Sequence, residues 1–160
     1  MTVRIAQARD VDAAMAVWRA ATVARRPDRP MPPELEARSR GCFAKPDAFA
    51  VVAEDEGRML GVGLGMQGRA DDGAGPPVSG LCHVAMIFVA PDRWGAGIGG
   101  RIVDAVLDDA RAHGYIRAQL WTHDDNVRAQ RLYEHRGFAP SGRRKLDDLG
   151  EPIRHYERVL

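Results

Sequence analysis

A glycine-rich turn is the first feature of this sequence that could carry out chemistry. Gly95, Gly97 and Gly99 alternate with small or apolar residues just before a segment with helical periodicity. Glycines let the backbone curl where a Cβ would obstruct it, and the free N–H groups at the start of a helix attract negative charge. The turn therefore predicts a phosphate site, made by the main chain between Trp94 and Gly100.

Two side chains elsewhere could transfer protons. Tyr133 lies seven positions after Asn126, two turns of a helix, so both residues share one helical face. His83 lies within a predicted strand, and its imidazole, with an ordinary pKa near ~6.5, can accept a proton at neutral pH. A lone histidine on a sheet face is also a common structural residue, and Asp124 and Asp125 are alternative proton acceptors. The sequence leaves open which residue is the base and whether a dedicated base exists, since an amine of lowered pKa can lose its proton to water.

The elements that must position these groups follow from the hydrophobic pattern. Strands are predicted where apolar and β-branched residues alternate or run together, and helices where apolar residues recur every three or four positions. The predicted order is β-α-α-β-β-β-α-β-α-β-β, with strands at 2–8, 48–54, 59–67, 81–89, 116–121 and a closing pair within 138–160, and helices after Asp10, at 34–43, from Ile98 to Gly114 and from Asn126 to about 136. Residues 25–33 and 68–80 are predicted loops, the second of them flexible. Alternation along the central strand predicts five residues on one face: Leu81, His83, Ala85, Ile87 and Val89.

The composition describes a single globular domain of residues 1–160. The 23 basic and 22 acidic side chains nearly cancel, which gives no overall field that would favour nucleic acid or an anionic membrane. The sequence has no run of 18 apolar residues and no apolar leader, so we expect neither membrane insertion nor secretion. Cys42 and Cys82 are too few for a disulfide framework, and no metal-ligand spacing occurs, so we expect reduced thiols, a cytoplasmic protein and no metal.

Two blocks of sequence resemble the signature motifs of the GCN5-related N-acetyltransferase (GNAT) superfamily. Val89-x-Pro91-x-x-Trp94-Gly95-x-Gly97-Ile98-Gly99 looks like its acetyl-coenzyme A signature, and Asn126-x-x-Ala129-x-x-Leu132-Tyr133-x-x-x-Gly137-Phe138 looks like its second block. One position departs from the pattern, because Trp94 stands where the family usually carries Arg or Gln. The resemblance implies a single-domain α/β (α+β) fold, with a mixed, mostly antiparallel central sheet and helices on both faces.

The resemblance also implies a reaction and a set of site residues. Similar proteins move an acetyl group from acetyl-coenzyme A, a cosubstrate, to a primary amine of a small molecule or peptide by direct attack on the thioester. Tyr133 would be the general acid that protonates the departing sulfur, and His83 stands where many relatives carry a Glu base. The implied cofactor-binding residues are Phe88, Val89, Trp94, Gly95, Ala96, Gly97, Ile98, Gly99, Gly100 and Asn126. The pantetheine arm is expected in a gap where the central strand splays from residues 116–121.

Other functions fit parts of the same pattern. Gly95, Gly97 and Gly100 also satisfy the G-x-G-x-x-G fingerprint of dinucleotide-binding oxidoreductases, although residues 90–94 separate them from the strand. A tight turn without any ligand is a second alternative. A module that senses acyl-coenzyme A without turnover is a third.

The acceptor is the least defined partner. Arg25, Arg26 and Arg29 lie in the first loop, and guanidinium groups bind carboxylates or phosphates bidentately. They suggest an amino acid or another acidic amine, against the alternative of a solvated loop without substrate contact. A homodimer is compatible with the sequence, which does not determine the oligomeric state.

Overall fold

The secondary structure of the computed structural model, which describes residues 1–160, follows the predicted order. The strands are β1 (Thr2–Ile5), β2 (Phe49–Asp55), β3 (Arg58–Arg69), β4 (Pro77–Val89), β5 (Arg117–His123), β6 (Ala139–Leu146) and β7 (Pro152–Val159). The helices are α1 (Val11–Arg25), α2 (Pro33–Cys42), α3 (Ile98–Ala112) and α4 (Val127–His135). None of these helices is long and apolar enough to cross a membrane.

One seven-stranded sheet runs through the molecule in the order β1-β2-β3-β4-β5-β7-β6. Every neighbouring pair is antiparallel except β4 and β5, which are parallel. The predicted α/β fold with a mixed, mostly antiparallel sheet is therefore confirmed. The dinucleotide-binding alternative is wrong, because that fold requires a mostly parallel sheet with its glycine turn directly after the first strand.

Helices cover both faces of the sheet. On one face α3 packs into the largest core cluster, where Ile102 and Val106 are fully buried. Their close approach depends on a glycine in β3, since a Cβ on Gly63 would lie 2.6 Å from side-chain atoms of both residues. On the other face Ala14 of α1 packs against Val62 of β3. The middle of β3 is therefore buried on both faces, which explains its run of apolar residues and glycines.

The parallel strands β4 and β5 separate along their length. They pair only at Leu81 with Arg117, Cys82 with Ala118, and His83 with Gln119. Beyond these pairs a gap opens towards the C-terminal ends of both strands. The splay expected beside the central strand is therefore confirmed.

A β-bulge interrupts β4 just where the strands separate. Leu64 of β3 pairs with Met86, but the next residue, Gly65, pairs with Val84. Ala85 is therefore an extra residue on β4, and such a residue bends a strand and reverses its alternation.

The bulge makes the predicted common face of β4 wrong. Cys82 and Val84 before the bulge pack in the α3 core cluster, and Ile87 and Val89 after it pack against the same cluster. His83 lies between two residues of that core face, so it points to the opposite side of the sheet from them. The prediction had placed five residues on one face: Leu81, His83, Ala85, Ile87 and Val89. The structure puts His83 on the opposite face from Ile87 and Val89.

The segment 68–80 forms a β-hairpin end, so the prediction of a flexible loop is wrong. Strand β3 continues to Arg69 and β4 begins at Pro77, with a short 3₁₀ turn at Asp71–Gly73 between them. The side-chain amide of Gln67 donates to the carbonyl of Val78 across the hairpin at 2.7 Å. Hydrogen bonds rather than an apolar pattern hold this end together, and hydrophobic periodicity therefore does not reveal it.

Candidate active site

Two cavities meet at the C-terminal end of β4. The smaller one, with a volume of about 270 Å³, is lined by the glycine turn, and we call it the turn cleft. The other, of about 880 Å³, is bordered by α1, α2, β4 and β5, and we call it the large cavity. Six residues line both and form what we call the junction: Arg25, Ile87, Phe88, Asn126, Ala129 and Tyr133.

The glycine turn presents a row of main-chain N–H groups that no other group of the chain uses. Gly95 and Gly97 have φ values of +85° and +78°, a left-handed conformation that glycine adopts without strain. Gly97 directly precedes α3, and no side chain caps that helix. The open N–H groups belong to Gly95, Gly97, Ile98, Gly99 and Gly100. A row of this kind at the start of a helix can bind phosphate.

Two amides that were expected in this row are used inside the turn instead. The N–H of Trp94 donates to the carbonyl of Pro91 at 3.3 Å, and the N–H of Ala96 donates to the carbonyl of Arg93 at 3.3 Å. The expectation that both amides face a phosphate therefore does not fit the geometry.

Trp94 acts through its side chain. Its indole Nε1 donates to the carbonyl of Val89 at 2.9 Å, which ties the turn to the last residue of β4. The guanidinium of Arg128, in the first turn of α4, lies over the indole at 3.7 Å from the ring centroid. Trp94 thus holds a cation at the wall of the turn cleft, where the family pattern has a polar or basic side chain. The sequence prediction missed Arg128. Its position two residues after the Asn126 cap was the one signal that it lies near the site.

Phe88 and Val89, at the end of β4, turn their main-chain N–H and C=O groups to opposite sides of the strand. The N–H of Ala90 donates to Leu60 of β3 at 2.8 Å, and in an antiparallel ladder alternate residues turn both peptide groups to the partner strand. Val89 therefore turns its N–H and C=O to the gap beside β5. Phe88 turns its own to β3, where a Cβ on Gly61 would lie 2.9 Å from its carbonyl oxygen. Of these two residues, Val89 offers a main-chain donor to the gap, and Phe88 lines both cavities.

Tyr133 lies at the junction with its ring in the core. It is 7% exposed, and its ring meets Phe138 edge-on with centroids 5.9 Å apart. Burial raises the pKa of Tyr133 above its ordinary value. The phenol therefore keeps its proton at neutral pH, as a general acid must before the reaction.

His83 lines the large cavity but not the turn cleft. Its Nδ1 is buried without a hydrogen-bond partner in the chain. Burial, followed by the nearby groups His155, Lys145 and Lys45, lowers the pKa of His83 to about 4. The imidazole is therefore neutral at pH 7.

Asn126 caps α4 as predicted. Its side-chain oxygen accepts the N–H of Ala129 at 3.2 Å. The buried amide of Gln130 donates to the carbonyls of His123 and Asp124 at 3.0 Å and 2.9 Å, which holds the turn before the helix. The cap and this amide together fix the helix that carries Tyr133.

The two aspartates considered as alternative bases form ion pairs with arginines. Asp124 accepts from the Nε of Arg154 at 2.8 Å, and Asp125 accepts from the Nη2 of Arg26 at 2.8 Å. Hydrogen bonding to Arg26 lowers the pKa of Asp125. Asp125 is therefore poorly suited to accept a proton at neutral pH, and Asp124 is occupied by the guanidinium of Arg154.

The three arginines of the first loop have different partners. Glu151, whose side chain is only 8% exposed, accepts from Arg26 at 2.8 Å and from Arg29 at 2.7 Å, whereas Arg25 lies 3.5 Å away. Hydrogen bonding to Arg26 lowers the pKa of Glu151 to about 2. Arg26 and Arg29 thus tie the start of β7 to the end of α1, across 125 and 122 positions of sequence.

One group of side chains has the composition of a metal site. His123, Asp147 and Glu151 bring ligand atoms within 4.8 Å of one another. The guanidinium groups of Arg26 and Arg29 already neutralise Glu151 and oppose a further cation there. The charge balance does not favour a metal centre, and the predicted absence of a metal stays a prediction.

A splayed pair of parallel strands, with a row of open N–H groups at its mouth and a buried tyrosine beside the gap, defines the class of protein that the two sequence blocks resemble. The chain belongs to the acetyltransferase (GNAT) family, whose model matches residues 11–138. This match confirms the resemblance found in the two sequence blocks.

Two acetyltransferases of similar sequence support the same family. Mycothiol acetyltransferase from Beutenbergia cavernae is 38% identical over 64 residues, which cover 40% of this chain and 22% of that protein. IAA acetyltransferase from Azospirillum brasilense is 34% identical over 100 residues, which cover 62% of this chain and 60% of that protein. The match thus spans less than two thirds of the length of either relative.

Solved structures share the fold. A GCN5-related N-acetyltransferase from Kribbella flavida has a TM-score of 0.77 at 22% identity, covering 99% of this chain and 97% of that one. The acetyl-coenzyme A complex of yncA from Salmonella typhimurium has a TM-score of 0.76 at 19% identity, covering 100% and 94%.

Proposed function

We propose that this protein moves the acetyl group of acetyl-coenzyme A to a primary amine of a small molecule or peptide, by direct attack of the amine on the thioester. The observation that carries the proposal is the junction, where the turn cleft and the large cavity meet beside Tyr133. A donor in one cavity and an acceptor in the other would react there without a covalent enzyme intermediate. The acetyltransferase names of the relatives and the cofactor bound to yncA support it.

The donor would lie along the turn cleft. The open N–H groups of the glycine turn would hold the pyrophosphate, with Ala96 shaping the turn and Arg128 adding a positive charge. The pantetheine arm would follow the gap at Val89, with Phe88 and Asn126 beside it. Trp94 would keep this end of the site in place through its bond to the Val89 carbonyl.

The reaction needs a polarised carbonyl, attack by the amine, and a proton for the leaving sulfur. A main-chain N–H at the gap polarises the thioester carbonyl, a contribution of roughly 2.7 to 4 kcal/mol for a well-placed donor. The amine nitrogen bonds to the carbonyl carbon, and the C–S bond breaks when the tetrahedral intermediate collapses. Tyr133 gives its proton to the leaving sulfur and recovers one from solvent.

We assign His83 to the proton that leaves the amine, but only after attack. A free α-ammonium group has a pKa near ~8, about four units above that of His83, so direct transfer to the imidazole would cost roughly 5 kcal/mol. Bonding to the carbonyl carbon makes the nitrogen far more acidic, and a weakly basic imidazole can then accept its proton. His83 lines the large cavity, which places its imidazole on the acceptor side of the site.

Binding and product analysis test this proposal together. Calorimetry with coenzyme A, acetyl-coenzyme A and NAD identifies the cofactor, and mass spectrometry of an amine panel incubated with acetyl-coenzyme A identifies the product. We expect tight binding of both coenzyme A species and an acetylated amine. Acetyl-coenzyme A binding without any acetylated product would favour the alternative of an acyl-coenzyme A sensor, and binding of NAD alone would reject the proposal.

We also propose a cytoplasmic protein that uses neither nucleic acid nor a membrane as a partner. The near balance of 23 basic and 22 acidic side chains and the two unpaired cysteines support it. Burial raises the pKa of the Cys82 thiol to about 12, which makes it unreactive. A homodimer stays a prediction, which sedimentation of the purified protein would test.

A further inference from the structure

We propose that Arg25 binds the carboxylate of the acceptor, and that the acceptor is a free α-amino acid with an apolar side chain. This proposal rests on the proposed acetyl transfer and names the substrate class of the same site. It also separates Arg25 from the two neighbouring arginines that the sequence grouped with it.

The position of Arg25 is the first observation. It is the last residue of α1, and among the six junction residues it is the one that carries a charge. The other five are Ile87, Phe88, Asn126, Ala129 and Tyr133. An anionic group on the acceptor would therefore find its cation where the two cavities meet, next to the reacting atoms.

The second observation is that Arg25 is paired at longer distances than Arg26 and Arg29. Its Nη1 lies 3.3 Å from Asp125 and its Nη2 lies 3.5 Å from Glu151, and both carboxylates accept closer bonds of 2.8 Å from Arg26. Arg29 takes the other oxygen of Glu151 at 2.7 Å. The Arg25 side chain is nevertheless only 23% exposed. A guanidinium that is largely shielded from water and weakly paired gains most from a bidentate carboxylate.

The chemistry of the acceptor follows from that placement. In a free α-amino acid the amine and the carboxylate share one carbon, so a carboxylate held by Arg25 puts the amine at the junction. A lysine side chain or the N-terminus of a protein has no carboxylate at that distance. The adjacent guanidinium also disfavours the ammonium form, which increases the fraction of neutral amine.

Part of the wall of the large cavity is apolar, and polar and charged side chains line the rest. Trp18, Met66, Met86 and Trp121 line the apolar part together with the Phe88 ring, which meets Trp18 edge-on at 6.3 Å between centroids. These are large apolar groups, and they favour an apolar side chain such as that of methionine, leucine or phenylalanine.

Matched substrates test the carboxylate directly. Thiol release from acetyl-coenzyme A would be measured with methionine, methioninamide and 3-(methylthio)propylamine, which share a side chain and differ at the carboxylate. We expect kcat/KM for methionine to exceed both others by about 10- to 100-fold, the effect of a charge-assisted hydrogen bond. The leucine and phenylalanine series would repeat the comparison.

Matched variants test Arg25 itself. Arg25→Gln should lower kcat/KM for methionine about 10- to 100-fold, mainly through KM, and should leave 3-(methylthio)propylamine nearly unchanged. Arg25→Lys should recover part of the loss. Arg40→Gln removes an arginine of α2 that pairs with Asp12 and lines neither cavity, so it should leave the ratio between the two substrates unchanged.

Each outcome decides the proposal. Equal turnover of the three methionine derivatives, or an equal loss on all of them in Arg25→Gln, would overturn the carboxylate role while acetyl transfer stands. Release of thiol with no amine at all would overturn the proposed function and this proposal with it. Calorimetry of methionine with the coenzyme A complex gives a second readout, in which Arg25→Gln should weaken binding and Arg40→Gln should not.

Discussion

The clearest consequence of the structure concerns Trp94, where the chain departs from the family pattern. Trp94→Phe removes the 2.9 Å bond to the Val89 carbonyl but keeps an aromatic face below Arg128. A neutral hydrogen bond contributes about 0.5 to 1.5 kcal/mol, so we expect coenzyme A to bind roughly 2- to 12-fold more weakly. Trp94→Ala also loses the cation–π contact, about 0.5 to 1 kcal/mol, and should weaken binding roughly 5- to 70-fold in total.

Calorimetry with coenzyme A measures both effects. Trp121→Phe is the control, since that tryptophan lines only the large cavity and should not alter coenzyme A affinity. A double-mutant cycle of Trp94→Ala with Arg128→Gln should show coupling, because the first change releases the guanidinium that the second removes. Wild-type affinity in Trp94→Ala would refute the view that this indole organises the cofactor site.

Three further predictions follow from single groups. Because the pKa of His83 is about 4, kcat/KM should rise between pH 6 and 9 only as the acceptor amine loses its proton, with an inflection at the pKa of that amine. A fixed inflection near pH 6.5 that vanishes in His83→Gln would contradict this. Gly97→Ala forces a residue with a Cβ into φ +78° at about 1 to 2 kcal/mol, so Tm should fall by roughly 2 to 8 °C, whereas Gly41→Ala inside α2 should not lower it. The folded pKa of Glu151, about 2, lies below its unfolded value of 4.5, so this carboxylate stabilises the fold above pH 4.5 and stops doing so as the pH falls towards 2. Urea unfolding should therefore show a smaller loss of unfolding free energy between pH 4.5 and 2 in Glu151→Gln than in the wild-type protein.

Much of the fold was predictable because its signals are local. The apolar run before Pro91, the alternating glycines after it and the Asn126 cap each act within a few residues, and all three have the predicted structure. The two sequence blocks also gave the family correctly, since their residues make the main-chain turn and the tyrosine helix that the family shares.

What the sequence could not show depends on contacts between distant residues. The bulge at Ala85 has no mark of its own, and it moves His83 away from the face shared by Ile87 and Val89. The hairpin end at 68–80 is held by the Gln67 amide instead of an apolar pattern.

The arginines of the first loop show the same limit most clearly. Three neighbouring guanidinium groups look equivalent in the sequence, and only their partners separate them. Glu151, more than 120 positions later, pairs closely with Arg26 and Arg29 and leaves Arg25 at the junction. The longer distances from Arg25 to Asp125 and Glu151, together with its place at the junction, therefore separate it from its two neighbours.

Acetyl transfer at the junction is tested most directly by amine-dependent thiol release from acetyl-coenzyme A in the wild-type protein and in Tyr133→Phe. Tyr115→Phe is the control, because that tyrosine packs against Phe49 outside both cavities. We predict that the wild-type protein and Tyr115→Phe release thiol only with an amine present, and that Tyr133→Phe lowers kcat by roughly 100-fold or more with coenzyme A affinity unchanged. Equal kcat in all three proteins would contradict the role of Tyr133, and no amine-dependent release in the wild-type protein would contradict acetyl transfer itself.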